Sequence, residues 1–374
     1  MSKRVVVAMS GGVDSSTAAW LLKQEGYEVI GVTMDLLESS CRIEKPDTCC
    51  SLQAFEDARD VADKLGMAHH ILDCKAEFEQ KVVSCFVSEY LKGRTPNPCV
   101  VCNSKIKFGL LLKHTWQLGA DYLATGHYAR ISKQNSRYVI KKGVDSTRDQ
   151  SYFLYGLSQY QLRHALMPLG EYKKEEIRKI AAESGLKIHD KAESQEICFI
   201  PAGHYQEFIR ERLGNNRFQP GPIVDKNGRL LGEHQGVAFF TVGQRKGLGI
   251  AVGKPLYVLA LDAFRNTVVV GEEADLYSRE LTVSEANWVA IENLTKEMEV
   301  TARIRYLHKG GEAVITPFSE GRVKVRFKEP QRAITPGQAT VFYQDDLVLG
   351  GGWIESGEWR NQRSLHSQLG LVHR

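Results

Sequence analysis

The sequence has no hydrophobic run long enough to cross a membrane, and it has too few cysteines for a disulfide scaffold. Its first apolar run, Val5 to Met9, is much shorter than the apolar core of a signal peptide. No stretch approaches the roughly 20 apolar residues of a membrane span. The eight cysteines are sparse among 374 residues, whereas small secreted scaffolds are dense in them. We therefore expect a soluble, cytoplasmic protein with no membrane partner.

The chain also lacks a strong net charge and low-complexity tracts. Its formal net charge is +4, with 43% hydrophobic and 25% charged side chains, a composition typical of a globular chain of two or three domains. From Thr301 onward there are eleven Lys or Arg and seven Asp or Glu, so this part carries an excess equal to the whole net charge. Such an excess suits either a phosphate-binding surface or an ordinary solvated face.

Alternating strand and helix signals in the first half predict a doubly wound parallel α/β sheet. The predicted strands are Arg4 to Met9, Tyr27 to Met34, His70 to Cys74 and Tyr122 to Thr125. The predicted helices are Asp14 to Gln24, Gln53 to Leu65 and Lys105 to Leu118. In such folds ligands bind at the carboxyl ends of the strands.

After about residue 205 the pattern changes to short alternating runs separated by glycine and proline. The predicted strands there are Val237 to Val242, Leu256 to Ala260, Thr267 to Val270, Val300 to Tyr306, Ala313 to Thr316, Arg322 to Phe327 and Ala339 to Tyr343. We predict a catalytic domain over 1–204, a small central α+β domain over 205–280, an antiparallel β-barrel over 281–360 and a polar, disordered tail over 361–374.

A glycine turn lies between the first predicted strand and the first predicted helix. The run Ser10-Gly11-Gly12-Val13-Asp14-Ser15 offers backbone amides, two hydroxyls and a helix N-terminus, which together form an anion cradle. It lacks the Lys-Ser/Thr of the P-loop and the third glycine of the dinucleotide fingerprint. Asp14 would either cap the helix, as in a plain turn, or hold Mg²⁺.

This turn is similar to the SGGxDS signature of the PP-loop ATP pyrophosphatases. The chain as a whole resembles one family of that superfamily, the tRNA-specific 2-thiouridylases (MnmA/TrmU). The further matching motifs are Gly-Arg-Thr-Pro-Asn-Pro at 93–98, Cys-Asn-Ser-Lys-Ile-Lys-Phe at 102–108, Ala-Thr-Gly-His-Tyr at 124–128, Asp-Gln-Ser-Tyr-Phe-Leu at 149–154, Ile-Cys-Phe-Ile at 197–200, Gly-Gln-Arg-Lys-Gly-Leu-Gly at 243–249 and Thr-Pro-Gly-Gln at 335–338. They extend over residues 5–355, in the family's order.

The resemblance implies an ATP- and Mg²⁺-dependent tRNA uridine 2-sulfurtransferase. ATP would adenylate the C2 oxygen of the wobble uridine, and a sulfur nucleophile would then displace AMP to give 2-thiouridine. Adenylation makes chemical sense because the oxygen is otherwise a poor leaving group. The implied partners are a tRNA with a wobble uridine and a protein that donates persulfide or sulfide.

The resemblance also implies roles for individual residues. The nucleotide-binding positions are Ala8, Met9, Ser10, Gly11, Gly12, Val13, Asp14, Ser15, Met34 and Gly126. The tRNA-contacting positions are His127, Arg148, Asp149, Gln150, Arg305, Tyr306 and Gln338, and a flipped-out uridine is expected near Asn97, Pro98 and Cys99. Catalysis is implied for Asp14, Cys102 and Cys198.

Two cysteines match the working thiols of the family. Cys198 would carry a persulfide, and Cys102 would attack it, either releasing hydrosulfide or leaving a disulfide between the two after transfer. Cys99 departs from the family pattern, in which many members carry Asp, and creates a Cys-x-x-Cys with Cys102.

That departure leaves the sulfur route open. Cys99, Cys102 and Cys198 offer three thiolates for a 4Fe-4S cluster whose open iron could bind hydrosulfide. The alternatives are the persulfide relay, a reversible Cys-x-x-Cys disulfide, or a zinc site lacking its fourth ligand. Cys41, Cys49 and Cys50 are either an auxiliary metal or sulfur-handling loop or simply packing thiols.

Two other functions share part of this pattern. Another PP-loop ligase that adenylates a small acid would need the glycine turn but neither Cys102 nor Cys198. A non-catalytic RNA-binding thiol sensor would have no need of Asp14 in a phosphate loop. Because the chain combines all of these features, we favour the sulfurtransferase.

Overall fold

The structure is a computed structural model that describes residues 3–37, 51–188, 190–191, 197–200 and 204–357. Cys41, Cys49, Cys50 and the predicted tail over 361–374 lie outside the described residues. Within that part of the chain, no helix is both long enough and apolar enough to span a bilayer.

The first half of the chain forms the predicted parallel sheet. Its strands, together with a hairpin inserted after β4, are β1 (Arg4–Ala8), β2 (Glu28–Asp35), β3 (Ala68–Asp73), β4 (Tyr122–Ala124), β5 (Ala129–Gln134), β6 (Arg137–Lys142) and β7 (Ala165–Leu166). The sheet order is β3-β2-β1-β4-β7, and all its neighbouring strands run parallel.

Helices cover both faces of this sheet, which confirms the doubly wound prediction. The α-helices of the described residues are α1 (Val13–Gln24), α2 (Leu52–Leu65), α3 (Lys75–Phe78), α4 (Ser84–Leu91), α5 (Pro98–Val101), α6 (Leu112–Gln117), α7 (Gln159–Arg163), α8 (Lys174–Glu183) and α9 (Tyr205–Leu213). Val6 packs in one core with residues of α6, whereas Val5 and Val7 point to the opposite face and pack with α1 and α2. Alternate residues of a strand face opposite sides, so a buried parallel strand needs this apolar run.

Part of the predicted helix over 105–118 is π-helical. The π-helical segments are Glu79–Val83 and Cys102–Leu111. Such segments are rare and are found frequently at functional sites. The second begins at Cys102, one of the two predicted working cysteines.

The central part forms a four-stranded sheet. Its strands are β8 (Gly221–Asp225), β9 (Leu230–His234), β10 (Tyr257–Asp262) and β11 (Thr267–Gly271), in the order β10-β11-β8-β9. The predicted strand Val237 to Val242 is wrong, because Val237–Phe239 is a short 3₁₀ turn. Successive residues of this turn are buried in different cores. Val237 and Phe239 lie in the core of the central domain, and Ala238 lies in a core of the first domain. A short apolar run buried all round carries no strand periodicity.

The last part is the predicted antiparallel barrel. Its strands are β12 (Tyr277–Trp288), β13 (Met298–Arg303), β14 (Gly311–Pro317), β15 (Val323–Arg332), β16 (Ala339–Gln344) and β17 (Leu347–Gly357). They follow the order β12-β15-β14-β13-β16-β17, and pairing of β12 with β17 closes the barrel. The β5–β6 hairpin of the first half joins the barrel through a Leu347–Lys141 pairing. The barrel is therefore attached directly to the domain that carries the glycine turn.

Candidate functional site

The glycine turn lies where the order of the parallel strands changes direction. β1 has β2 on one side and β4 on the other, so the loops that leave β1 and β4 open a crevice between them. Gly126, in the loop after β4, lies against the first turn of α1: a Cβ there would be 2.8 Å from the carbonyl carbon of Asp14 and from the amide nitrogen of Ser15. The structure thus brings Gly126 and the turn together, as the sequence motifs predict.

The turn itself is built as an anion cradle. Gly11 has a φ of +67°, and Gly12 is the N-cap of α1 with no side-chain cap. The Ser15 hydroxyl accepts a hydrogen bond from the Ser10 amide at 3.1 Å and lies 3.2 Å from the Ser10 hydroxyl. Because no side chain caps α1, its first N–H groups and helix dipole are available for an anion.

Gly11 is sterically required at its position. A Cβ there would lie 2.2 Å from the carbonyl oxygen of Ala54 at the start of α2. We predict that Gly11→Ala lowers the free energy of unfolding by more than about 1 kcal/mol, since it combines a positive φ with a backbone clash. Chemical denaturation measures this.

Two matched glycine variants separate the causes of that loss. Gly26→Ala carries a positive φ of +85° with no atom within 4 Å, whereas Gly12→Ala has a negative φ and an ordinary 3.5 Å contact. The expected loss of stability is largest for Gly11→Ala, smaller for Gly26→Ala and smallest for Gly12→Ala. Equal stability of the three variants would contradict the steric argument.

Asp14 is engaged by a lysine that the sequence patterns did not single out. The Lys174 ammonium, at the start of α8, donates to both carboxylate oxygens of Asp14 at 2.7 and 2.8 Å. The Tyr128 hydroxyl donates to the same carboxylate at 2.7 Å. The alternative that Asp14 caps α1 is wrong, because Gly12 occupies the N-cap position. A cation therefore neutralises the Asp14 carboxylate, which would otherwise repel a phosphate.

A second lysine contacts the glycine turn. Lys191 donates to the carbonyl oxygen of Gly11 at 3.1 Å and forms an ion pair with Asp57 of α2. No sequence pattern indicates a functional role for Lys174 or Lys191. Lys174 follows another lysine at the start of a charged helix, and only its burial distinguishes it. Its side chain is 8% exposed, which is rare for lysine unless it is paired.

Met34, predicted to contact the nucleotide, is the penultimate residue of β2. Its side chain is half-buried and packs against two apolar clusters of the first domain. Packing against these clusters is enough to explain why an apolar residue occupies position 34. The contact of Met34 with the nucleotide stays a prediction.

The predicted working cysteines pack against one apolar cluster. Cys102 and Cys198 are both half-buried at this cluster, which also contains the aromatic side chains of Phe78, Phe86 and Phe199. Fully buried Cys74 belongs to the same cluster. Burial, together with nearby carboxylates and Cys102, raises the pKa of the Cys74 thiol to about 12, so Cys74 stays protonated and is a poor nucleophile at neutral pH.

The three candidate metal ligands do not form a ligand set. Across the described residues, no group of three or more His, Cys, Asp or Glu side chains is arranged to hold a metal ion. Cys99, Cys102 and Cys198 are all described, so their arrangement fits neither a 4Fe-4S cluster nor a zinc site. The described cysteines include no disulfide either, so the predicted Cys102–Cys198 bridge is not seen.

The segment that carries the predicted base site is held by the barrel. The Gln338 amide donates to the carbonyl oxygens of Thr95 and Pro96 at 3.0 and 3.1 Å. The Thr95 amide in turn donates to the carbonyl oxygen of Pro336 at 2.8 Å. Gln338 is predicted to contact tRNA. Both N–H groups of its side-chain amide donate to the segment that leads into Asn97, so only its side-chain oxygen is left for another partner.

Asn97, Cys99 and Cys102 lie at the start of one helical stretch. Asn97 is the N-cap of α5 and lies within hydrogen-bonding reach of the buried Tyr152 hydroxyl. The Asn103 amide donates to the carbonyl oxygen of Phe153 at 3.3 Å. These contacts fix both ends of the stretch that contains Pro98, Cys99 and Cys102 against the motif at 149–154.

The predicted tRNA-contacting residues after β4 are less accessible than the patterns suggest. His127 is 8% exposed, its Nδ1 lies 2.7 Å from the Thr125 hydroxyl, and burial, followed by the charge of Lys107, holds its pKa well below the usual value. Gln150 accepts a hydrogen bond from the Tyr128 amide at 3.0 Å. Their tRNA contacts stay predictions.

Asp149 connects the first domain to the barrel. Arg148, the preceding residue and also predicted to contact tRNA, is half-buried. The Asp149 carboxylate is 2% exposed and receives Arg303 of β13 at 2.9 Å. It also accepts from the Ser151 and Gly143 amides at 3.1 and 3.3 Å. A buried carboxylate with these donors is satisfied within the protein, so its role in this conformation is to join the two domains.

Ion pairs neutralise much of the basic excess of the barrel. The described cations that pair with carboxylates are Arg303, Arg322, Lys324, Arg326, Lys328 and Arg332. Arg305 and Lys309 have no carboxylate within ion-pair distance among the described residues. Among the described residues from Thr301 onward, the cations without a carboxylate partner therefore both lie on the turn between β13 and β14, where Tyr306 also lies.

Family profiles match three consecutive parts of the chain. Family profiles match residues 3–202 as a tRNA methyl transferase HUP domain, 206–272 as a tRNA methyl transferase PRC-barrel domain and 278–354 as an aminomethyltransferase beta-barrel domain. Among solved structures, a 4-thiouridine synthetase in complex with RNA and ATP has 19% identity and a TM-score of 0.34, covering 57% of this chain and 51% of that chain.

Two similar proteins come from clostridia. The tRNA-specific 2-thiouridylase MnmA 1 of Clostridium botulinum (strain Loch Maree / Type A3) is 52% identical over 356 residues, which are 95% of this chain and 100% of that protein. The tRNA-specific 2-thiouridylase MnmA 2 of Clostridium tetani (strain Massachusetts / E88) is 51% identical over 356 residues, 95% of this chain and 99% of that protein. The chain therefore belongs to the tRNA-specific 2-thiouridylase MnmA family.

Proposed function

We propose that this enzyme replaces the C2 oxygen of a wobble uridine in tRNA with sulfur, at the expense of ATP. The observation that carries the proposal is the 52% identity, over 95% of this chain, to a protein named tRNA-specific 2-thiouridylase. The anion cradle and the two cysteines on one apolar cluster support it, because they supply the two halves of the reaction, adenylation and sulfur transfer.

In the first half, the C2 oxygen attacks the α-phosphorus of ATP, and the bond to pyrophosphate breaks. The amides at the start of α1 and the hydroxyls of Ser10 and Ser15 bind the departing phosphates. Lys174 keeps Asp14 neutralised, so that the cradle attracts an anion.

The implied Mg²⁺ does not fit the Asp14 carboxylate in this conformation. Asp14 is 30% exposed, but both of its oxygens accept hydrogen bonds from the Lys174 ammonium, and the Tyr128 hydroxyl also donates to it. A carboxylate that is already neutralised attracts a second cation only weakly. Nucleotide phosphates and water would therefore hold the ion, which would neutralise developing phosphate charge.

In the second half, sulfur adds to C2 and AMP leaves. We propose that the terminal sulfur of a persulfide on Cys198 attacks C2, and that the Cys102 thiolate then attacks the sulfur of Cys198. This gives 2-thiouridine and a Cys102–Cys198 disulfide, which an external thiol reduces for the next cycle. Alternatively, Cys102 attacks the persulfide first and releases hydrosulfide, which adds to C2. A persulfide donor protein loads Cys198 in either case: the Cys198 thiolate attacks the outer sulfur of the donor's persulfide, and the donor leaves as a thiolate.

Reconstitution with purified components tests the proposal. The enzyme carrying a persulfide on Cys198, with ATP, Mg²⁺ and an unmodified tRNA with a wobble uridine, should yield in a single turnover 2-thiouridine together with equimolar AMP and pyrophosphate, measured by mass spectrometry of nucleosides and nucleotides. The same tRNA with cytidine at the wobble position is the matched control and should give no thiolated product.

Other outcomes would overturn it. Formation of AMP only with a small carboxylic acid, and never with tRNA, would indicate an adenylating ligase. Binding of tRNA with no consumption of ATP would indicate a thiol sensor. Unchanged 2-thiouridine in the tRNA of cells that lack this protein and have no duplicate enzyme would contradict the proposal in the cell.

A further inference from the structure

An apolar side chain is held in solvent on the turn between β13 and β14. The turn runs from Arg305 to His308 and is closed by a hydrogen bond from the His308 amide to the carbonyl oxygen of Arg305 at 3.0 Å. Leu307 is the third residue of this turn and is 86% exposed. A single exposed leucine is ordinary by itself, so its surroundings decide what it means.

The neighbours of Leu307 are all anchored to the protein. Arg305 donates to the carbonyl oxygen of Arg332 at 3.1 Å, and the His308 Nε2 lies 2.9 Å from the side-chain oxygen of Gln331. The Tyr306 ring packs on the ring of Phe153 with the centroids 4.4 Å apart. The turn therefore presents Leu307 to solvent on a fixed backbone.

Positive charge surrounds this leucine. Arg305 and Lys309 are the described cations from Thr301 onward with no carboxylate within ion-pair distance, and they lie two residues to either side of it. Burial, followed by the charges of Arg305 and other groups, lowers the pKa of His308, so this side chain is neutral at pH 7. The surface thus combines two cations with one apolar side chain between them.

The turn lies beside the segment predicted to receive the target base. Tyr306 packs on Phe153, and the carbonyl oxygen of Phe153 accepts from Asn103, the neighbour of Cys102. Arg305 is also close enough to act electrostatically on Tyr152, whose hydroxyl Asn97 approaches. The turn that carries Leu307 is therefore connected, through Tyr306 and Phe153, to the segment that carries Asn97 and Cys102.

We propose that Leu307 is an apolar wedge that fills the gap left in the anticodon base stack when the target uridine is flipped out, while Arg305 and Lys309 bind the flanking phosphates. This inference rests on the proposed function. Proteins that unstack bases frequently insert a leucine or similar side chain between base steps, and flipping costs unstacking energy that such a side chain offsets. A protein partner is disfavoured because one leucine between two cations is far smaller than the apolar core of a protein interface.

The experiment uses the full-length enzyme and an anticodon stem-loop RNA with 2-aminopurine next to the target uridine. Binding of the unaltered enzyme should raise the 2-aminopurine fluorescence, which reports unstacking. With Leu307→Ala we expect a clearly smaller rise and a fall of about tenfold in the rate constant of thiolation at saturating RNA. The Kd for RNA should change less than about threefold, since the phosphate contacts remain. Leu307→Met should restore both signals.

Leu230→Ala is the matched control, because Leu230 is 67% exposed on β9 of the central domain. It should behave as the unaltered enzyme does. Unchanged fluorescence and rate in Leu307→Ala, or an equal loss in Leu230→Ala, would overturn the wedge. Failure of the unaltered enzyme to thiolate full-length tRNA would instead overturn the proposed function, so the two failures are distinguishable.

Discussion

Replacement of Cys102 or of Cys198 by alanine should abolish the formation of 2-thiouridine. Both routes that we propose need one thiol to carry sulfur and a second to attack it, so loss of either one stops the transfer. The expected result is no thiolated nucleoside above background in single-turnover reactions analysed by mass spectrometry. Activation of the uridine by ATP should persist in both variants, because the cradle lies on α1 and the cysteines do not contribute to it.

Cys85→Ala is the control for this pair. Cys85 is exposed on α4 and lies outside the apolar cluster that holds Cys102 and Cys198, so its replacement should leave the rate unchanged. Normal turnover by Cys102→Ala or Cys198→Ala would contradict both forms of the persulfide route. Loss of ATP-dependent pyrophosphate release along with thiolation would point to damage of the fold.

Cys99→Ala distinguishes the persulfide route from a cluster. We expect a mild effect, since neither form of the relay uses Cys99. Loss of activity as severe as that of Cys102→Ala, together with iron in protein purified without oxygen, would instead support a 4Fe-4S cluster on Cys99, Cys102 and Cys198. Iron-free protein that is active would exclude the cluster.

Replacement of Lys174 by methionine should reduce ATP-dependent adenylation by about 100-fold or more. The substitution keeps the length of the side chain and removes its charge, so the Asp14 carboxylate stays negative at the mouth of the anion cradle. The attraction between Lys174 and Asp14 is strong where water is partly excluded. Without Lys174, the repulsion between the Asp14 carboxylate and the ATP phosphates is strong for the same reason. The measurement is pyrophosphate release at saturating ATP and tRNA, with the Kd for ATP determined in parallel.

Two further variants make this prediction specific. Lys179→Met lies on the same helix with a side chain that is 77% exposed, and it should leave adenylation unchanged. Asp14→Asn combined with Lys174→Met removes both charges and should bind ATP more tightly than Lys174→Met alone, because no uncompensated carboxylate is left to repel the phosphates. Adenylation at the rate of the unaltered enzyme in Lys174→Met would refute a role for this ion pair.

The elements that were predicted well are those whose signal is local. The apolar run of β1, the glycine turn and the helix that follows are neighbours along the chain, and periodicity identifies them. The short alternating runs predict the barrel, but they miss its strands β12 and β17 and the hairpin Ala129–Lys142. That hairpin pairs with a barrel strand from the far end of the chain, and such pairing leaves no local pattern.

The candidate site divides in the same way. By itself, the sequence determined the glycine turn that forms the anion cradle, because its residues are neighbours along the chain, whereas the working cysteines stay a prediction from the family resemblance. Only the tertiary structure decided that Lys174 neutralises Asp14, that Gln338 holds the carbonyl oxygens of Thr95 and Pro96, and that Asp149 binds Arg303. These partners are more than 150 residues apart, and only the packing of the three parts of the chain brings their charges and hydrogen-bonding groups within reach of one another.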